Sequence, residues 1–154
     1  MTIVIDETRA DDPDAQALID ELDAYLTPLY PSESRHGYSV AKLLVQGVYF
    51  FIVRREGEAA GCGGVQLFGD EFGELKRMYV RPALRGKGLA KALLAHLEAY
   101  TRSRGVPLLR LETGIHQHEA IALYERMGYR PIGPFGSYRE DPLSLFYEKR
   151  LDAR

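Results

Sequence analysis

Between Leu75 and Gly105 the hydrophobic period of the chain switches from that of a strand to that of a helix, across a few residues rich in glycine and positive charge. Leu75, Met78, Tyr79 and Val80 make a short apolar-rich run with β-branched and aromatic members. Arg81-Pro82 ends it, because proline offers no N–H to a ladder. Leu89, Leu93, Leu97 and Tyr100, with Ala90 and Leu94 beside them, then recur at helical spacing as far as Gly105, which suits the left-handed residue that closes a helix. The spacing predicts a strand with a defined exit, then an amphipathic helix of about four turns.

The connection, Arg85-Gly86-Lys87-Gly88-Leu89-Ala90, places two residues without a Cβ where a helix begins and its first N–H groups have no intrahelical partner. Bare amides beside two cations make an anion site; a plain tight turn with solvated Arg85 and Lys87 is the simpler alternative. Two familiar phosphate motifs are excluded. A P-loop needs Ser or Thr after its Gly-Lys, whereas Gly88 follows Lys87, and Arg81 stands where that motif's first glycine belongs. Gly61-Cys62-Gly63-Gly64-Val65-Gln66 fails as a dinucleotide fingerprint, because Gln66 replaces the third glycine and the run lies in a strand pattern.

A chain of 154 residues, 45% hydrophobic and 27% charged, has the size of one domain spanning 1–154 that buries most of its apolar surface. Its net charge of −2 gives no electrostatic support to a nucleic-acid partner. No apolar run approaches the roughly 18 residues that cross a bilayer, so no membrane partner is expected. Met1 to Asp12 carries four acids and no apolar core, unlike a signal peptide, and a cytoplasmic location follows as the default. Cys62 is alone and reads as buried packing. His116 and His118 are the nearest approach to a metal-ligand pair and read as solvated loop histidines, so no metal is expected.

Taken in order, Ile3-Val4-Ile5 suits an edge strand. Asp12-Pro13 caps a helix whose stripe is Ala15, Leu18, Ile19, Leu22 and Tyr25. Thr27 to Gly37 is a proline-containing loop able to line a pocket, with packing of Tyr30 on the core as the alternative, and Ser39 to Gln46 suits a short second helix. Tyr49 to Val53, Ala60 to Phe68 and the run ending at Val80 form an antiparallel meander with turns at Glu56-Gly57-Glu58 and Gly69-Asp70-Glu71. The helical crossover makes Pro107 to Thr113 parallel to its predecessor. A helix from His118 to Met127 stops at Gly128, Tyr129-Arg130 starts a short strand, and Leu143 to Arg150 is a last strand with Leu143, Leu145 and Tyr147 alternating.

Val80-Arg81-Pro82 followed by Arg85-Gly86-Lys87-Gly88-Leu89-Ala90-Lys91 resembles the acetyl-coenzyme A signature of the GNAT superfamily of N-acetyltransferases, Arg/Gln-x-x-Gly-x-Gly/Ala. Glu119 to Tyr129 is similar to the same superfamily's downstream helix, with its Ala-Ile, Leu-Tyr and Gly-Phe pattern. The resemblance runs from Tyr49 to Leu151 and implies an α+β fold, a mostly antiparallel mixed sheet of about seven strands flanked by about four helices. It implies that the strands ending at Val80 and Thr113 splay apart around a pantetheine arm, held by the backbone of Met78, Tyr79 and Val80. Pyrophosphate would lie on Arg85, Gly86, Lys87, Gly88, Leu89, Ala90 and Lys91, with Gln117 where the family often has a pantetheine-binding Asn.

Acyl transfer from a thioester to an amine needs a neutral amine, a donor for the oxyanion and a proton for the thiolate. By the resemblance, Tyr124 is the acid; a core tyrosine at helical spacing is its alternative. Glu74, at period 2 from Met78, is placed on the same strand face and is the candidate base, against a solvated carboxylate paired with Lys76 or Arg77; His36, His116 and water are the other candidates. Tyr30, His36, Phe135 and Tyr138 are the candidate acceptor-binding residues. The expected activity is transfer of acetyl from the cosubstrate acetyl-coenzyme A to a primary amine of a small metabolite, an amino acid or similar, by direct attack through a tetrahedral intermediate. A coenzyme A-binding sensor, a protein N-acetyltransferase and a homodimer stay open as alternatives.

Overall fold

The computed structural model describes residues 1–151. Its core is one seven-stranded sheet in the order β1-β2-β3-β4-β5-β7-β6. The strands are β1 (Ile3–Thr8), β2 (Tyr49–Arg55), β3 (Glu58–Phe68), β4 (Phe72–Val80), β5 (Leu108–Gly114), β6 (Arg130–Ile132) and β7 (Ser144–Arg150). Four α-helices cover it: α1 (Pro13–Leu26), α2 (Val40–Val45), α3 (Leu89–Ser103) and α4 (His118–Arg126). Every neighbouring pair is antiparallel except β4 and β5.

The two apolar clusters are the two faces of this sheet. Phe51, Val53, Leu75, Val80, Leu109 and Leu111 pack on the leucine stripe of α3, and Leu123 and Tyr124 of α4 join them. Phe50, Ile52, Cys62 and Tyr79 pack on Ala15, Leu18, Ile19 and Leu22 of α1 and on Leu43 of α2. Local signals place the helices. Asp12 accepts from the N–H groups of Asp14 and Ala15 at the head of α1, Ser39 accepts from Lys42 N at the head of α2, and Gly105 closes α3 with φ +78°. Glu56 and Gly57, both at positive φ, make the two-residue hairpin between β2 and β3.

Three expectations are corrected. Tyr25 ends the α1 stripe but is 39% exposed, because it lines an open groove beside the guanidinium of Arg85. Leu143 lies in the turn before β7, and the strand itself is covered on both faces, with Phe146, Tyr147 and Glu148 all buried, so its pattern does not alternate. The short strand expected from Arg130 is edge strand β6, where the missing N–H of Pro131 costs little.

The third correction bears on the site. Gly64 pairs with Lys76 but Cys62 pairs with Tyr79, so Arg77 and Met78 share the place opposite Gly63 as a β-bulge, and Arg77 has φ +56°. The bulge resets the alternation of β4. Leu75, Met78 and Val80 belong to the α3 face, whereas Tyr79 belongs to the α1 face. Glu74 is therefore one residue out of step with Met78 and lies on the opposite face. The period-2 argument that put the two together fails at an insertion that no residue type announces.

The loop from Leu26 to Gly37 is pinned against this site at both ends. Tyr30 is buried, accepts from His116 N at 3.0 Å and packs flat on Gly114, where any Cβ would fall inside its phenol. Gly37 lies against the Arg77 guanidinium in the same way. Gly114→Ala should thus lower stability by about 1–3 kcal/mol through overpacking and displace the loop, as read from urea midpoints. A variant as stable as the parent would show that Tyr30 does not anchor the loop.

Candidate active site

β4 and β5 share only two register pairs, Gly73 with Leu109 and Glu74 with Arg110. Beyond them the strands part, and two cavities occupy the opening.

The larger, of about 870 Å³, lies between the end of β4, the head of α3 and one face of α4. A 3₁₀ turn at Pro82–Leu84 delivers the chain to Gly86 and Gly88, at φ +77° and +80°, where an L side chain is strained. Gly88 is the N-cap of α3 and supplies no side-chain cap, so the first amides of the helix stay open. A Cβ at either glycine would meet no protein atom, which means that the space over these amides is free. Arg85 donates from Nε to the Val80 carbonyl at 2.9 Å and stands 3.8 Å from Glu119. Lys87 and Lys91 are exposed. Open helix-start amides, left-handed glycines and three cations are a donor set that fits a phosphate-bearing group such as the pyrophosphate of coenzyme A.

Of the residues expected to hold the cofactor, Met78, Tyr79, Val80, Arg85, Gly86, Gly88, Leu89, Ala90, Lys91 and Gln117 all line this groove. Lys87 does not: it projects from the rim of the turn. Tyr79 contributes at its edge, since its ring belongs to the α1 face and its hydroxyl donates to Glu21 at 3.2 Å. Gln117 turns its side chain back to accept from Gly114 N at 3.0 Å, at the point where β5 hands over to α4.

The smaller cavity, of about 90 Å³, lies on the other side of the split, between the Leu26 to Gly37 loop, β4, β5 and the loop before β7. Tyr30, His36 and Tyr138 line it, together with Glu74, Lys76 and Glu112. Phe135 does not reach it. That ring is buried behind Tyr138, 5.1 Å between centroids, and packs on Phe72 and Phe146. Glu74 is not the solvated carboxylate of the simpler reading, because it is only 4% exposed. It meets Lys76 Nζ at 2.9 Å and accepts from the Tyr138 hydroxyl at 2.5 Å. Lys76 in turn stands 3.9 Å over the Tyr38 ring.

Glu112 is the residue that sequence reading missed. Leu109 and Leu111 occupy one face of β5, so Arg110 and Glu112 fall on the other by simple alternation, but nothing in the sequence says that Arg110 meets Glu148 while Glu112 meets only the Ser144 hydroxyl. Its one hydrogen-bond partner among the described residues is the Ser144 hydroxyl, which donates at 2.7 Å. Burial pushes its carboxyl up to about 7, with Glu74 adding to the rise and the Ser144 bond opposing it.

Met78, Gln117 and Tyr124 line both cavities. Tyr124 is buried on α4, and its hydroxyl makes no hydrogen bond to any described residue. Burial raises its phenol well above the usual range, so it stays protonated at any working pH. Cys62 is fully buried, with its thiol raised to about 12, and is inert packing as expected. His116 and His118 belong to no group of metal-binding side chains among the described residues. No helix among the described residues is long and apolar enough to cross a membrane.

The family model of the Acetyltransferase (GNAT) family matches residues 12–129. An IAA acetyltransferase of Azospirillum brasilense is 44% identical over 135 residues, which cover 87% of this chain and 88% of that protein. A crystal structure from Klebsiella pneumoniae, described as an acyl-CoA N-acyltransferase, superposes with a TM-score of 0.83 at 44% identity over 97% of this chain and 98% of the other. The PaiA N-acetyltransferase of Thermoplasma acidophilum, solved in complex with coenzyme A, has a TM-score of 0.77 over 97% and 99% of the two chains; at 19% identity the likeness is one of fold.

The glycine turn is the part of this site most exposed to a single change. Gly88→Asp should weaken coenzyme A binding about 100-fold or more, since a strained side chain and a like charge arrive together over the open amides. Titration calorimetry on the folded variant checks this, and an unchanged Kd would remove the helix head from the binding site.

Proposed function

Because this chain belongs to the GNAT family of acetyltransferases, and so is an acyltransferase whose fold is built to use acyl-coenzyme A, we propose that it carries acetyl from acetyl-coenzyme A to the primary amine of a small molecule. The carrying observation is the meeting of two chemically opposite cavities at the free hydroxyl of Tyr124. One is lined by open amides and cations, the other by carboxyls and phenols. The donor thioester belongs to the first and the acceptor amine to the second.

An aliphatic amine reaches the enzyme as an ammonium ion and must lose a proton before its nitrogen can attack. Glu112 is the better base. Glu74 already has the Lys76 ammonium and the Tyr138 hydroxyl as partners, whereas Glu112 has only a hydroxyl and no cation bonded to it. A carboxyl near 7 holds a transferred proton far better than an ordinary carboxylate does. As the N–C bond forms and the C–S bond breaks, negative charge collects on sulfur, and the Tyr124 hydroxyl is free to donate to it. A phenol raised by burial is a weaker acid than a coenzyme A thiol, so its contribution is a hydrogen bond to the developing thiolate, with complete proton transfer left to solvent.

Release of coenzyme A, followed with a panel of small primary amines, tests the activity; release no faster with any amine than by hydrolysis would end this reading. Glu112→Gln should lower kcat by about 10²–10⁴. In the parent enzyme kcat/KM for the amine should rise with pH through about 7, because the base works only when ionised, and that limb should be absent from Glu112→Gln. The same group acts on stability with the opposite sense. Its folded value lies above its unfolded one, so it stabilises the fold below about 4.5 and the contribution is lost as pH rises through about 7. Glu112→Gln should therefore melt higher than the parent at pH 8 and not at pH 4; equal melting at pH 8 would mean that Glu112 is not buried in solution.

Tyr124→Phe keeps the ring that packs against Tyr129 and removes only the hydroxyl. A fall in kcat of roughly 10 to 100-fold is expected, at or below the low end of general-acid effects, with coenzyme A affinity nearly unchanged. Wild-type turnover, under conditions where chemistry limits the rate, would leave Tyr124 a packing residue.

A further inference from the structure

The acceptor cavity is bridged on its solvent side by two loops that touch through side chains. The loop after α1 is fixed at Tyr30 and at Gly37, as described above, and between these points Ser34 donates its hydroxyl to Asp141 Oδ2 at 2.7 Å. His36 Nε2 lies 3.8 Å from the same oxygen, and its ring meets Tyr138 edge-on at 5.3 Å. Asp141 is itself held from its own loop, where Leu143 N donates to Oδ1 at 2.8 Å and Ser144 N donates to its carbonyl at 3.0 Å. The Leu143 N–H and the Ser34 hydroxyl hold the Asp141 carboxyl below the usual carboxylate range, so the bridge keeps its charged acceptor at neutral pH. Exposure falls inward across it, from 29% for the His36 side chain and 18% for Asp141 to 5% for Glu74.

Resting on the acceptor reading above, we infer that the bridge from Ser34 and His36 to Asp141 closes the outer side of the amine cavity and restricts its acceptors to small free amines, excluding amines on peptide chains. At about 90 Å³ against about 870 Å³ for the groove on the α3 side, the cavity suits an acceptor with a short carbon skeleton. A peptide amine brings a continuing chain that must leave by the bridged side, and that requires the Ser34 hydrogen bond and the His36 contacts to part. The inference lies outside the coenzyme A chemistry, because none of the three residues borders the larger cavity.

Glycinamide, ethanolamine and pentaglycine present primary amines on scaffolds of rising length, and coenzyme A release measures kcat/KM for each. In the parent enzyme the best small amine should exceed pentaglycine by about tenfold or more, and Ser34→Ala, alone and with His36→Ala, should shrink that ratio several-fold while leaving the Kd for coenzyme A unchanged. Equal use of pentaglycine and small amines by the parent overturns the inference, as does a ratio that neither variant moves. Thermal melting checks that each variant is folded, and if Ser34→Ala is not, Asp141→Ala replaces it under the same two criteria. Failure of the underlying reading looks different: no amine of any length accelerates release although coenzyme A still binds, and that result removes this inference with it.

Discussion

The left-handed backbone at Arg77 is the constraint on which both cavities depend. A non-glycine residue at positive φ costs about 1–2 kcal/mol and persists only where its surroundings hold it. Here the side chain does the holding. Its guanidinium donates to Asp23 and to the Ile19 carbonyl of α1 and packs on Gly37, so the strained residue is tied to the opposite layer of the fold. The bulge bends and twists β4, and the next neighbour, β5, keeps only two register pairs with it. The sheet is thus split where the bulge lies, on a strand whose neighbour on that side is parallel and joined by a helix rather than a hairpin. Both cavities occupy the opening that remains between β4 and β5 beyond Glu74.

The split sorts charge. On the α3 side, the chain presents helix-start amides with Arg85, Lys87 and Lys91, all favourable to phosphate. On the α1 side it gathers Glu74, Glu112 and Asp141, favourable to an ammonium ion and answered among buried cations only by Lys76 and Arg77, each already paired. Tyr124 separates the two sets, and its raised phenol is neutral over the pH range in which the enzyme works.

The order of elements, the crossover and the glycine turn were legible in the sequence because each has a local chemical cause. Proline ends β4 at Arg81-Pro82, leucines repeat along α3, and Gly86 and Gly88 take backbone angles that other residues resist. The smaller cavity was legible only in part. Tyr30, His36 and Tyr138, named from composition, line the smaller cavity, whereas Phe135 came from the same reasoning and packs one layer deeper, since a loop's residue types do not reveal which ring faces in. Glu74 was found for a reason that the Arg77 bulge invalidates. Glu112 was missed because its character comes from β7, 32 residues downstream, whose Ser144 closes over it. Those are long-range facts, and no window of sequence contains them.

Two register pairs are too few to hold the halves of a split sheet together, so the joint is made elsewhere, by α3. Its leucines pack on β2 and β4 on one side of the split and on β5 on the other. Glu98, buried on this helix, accepts from the Tyr129 hydroxyl at 2.7 Å and from Lys149 Nζ of β7 at 3.0 Å. Arg102 donates to the Leu151 carbonyl at 3.2 Å, fastening the end of the helix to the end of the last strand. On the other face, Arg81 grips Glu21 of α1 and the Ala59 carbonyl, which fixes the exit of β4 just before the glycine turn. These clamps lie outside both cavities. Glu98 is ten residues along α3 from Gly88, or about 15 Å at 1.5 Å per residue, yet the rigid helix between them carries the orientation of the open amides. The polar groups that keep the halves in register therefore also aim the open end of α3, and the chain can leave its helix-start amides uncapped and its Glu112 carboxyl without a bonded cation because its structural ions are engaged around them.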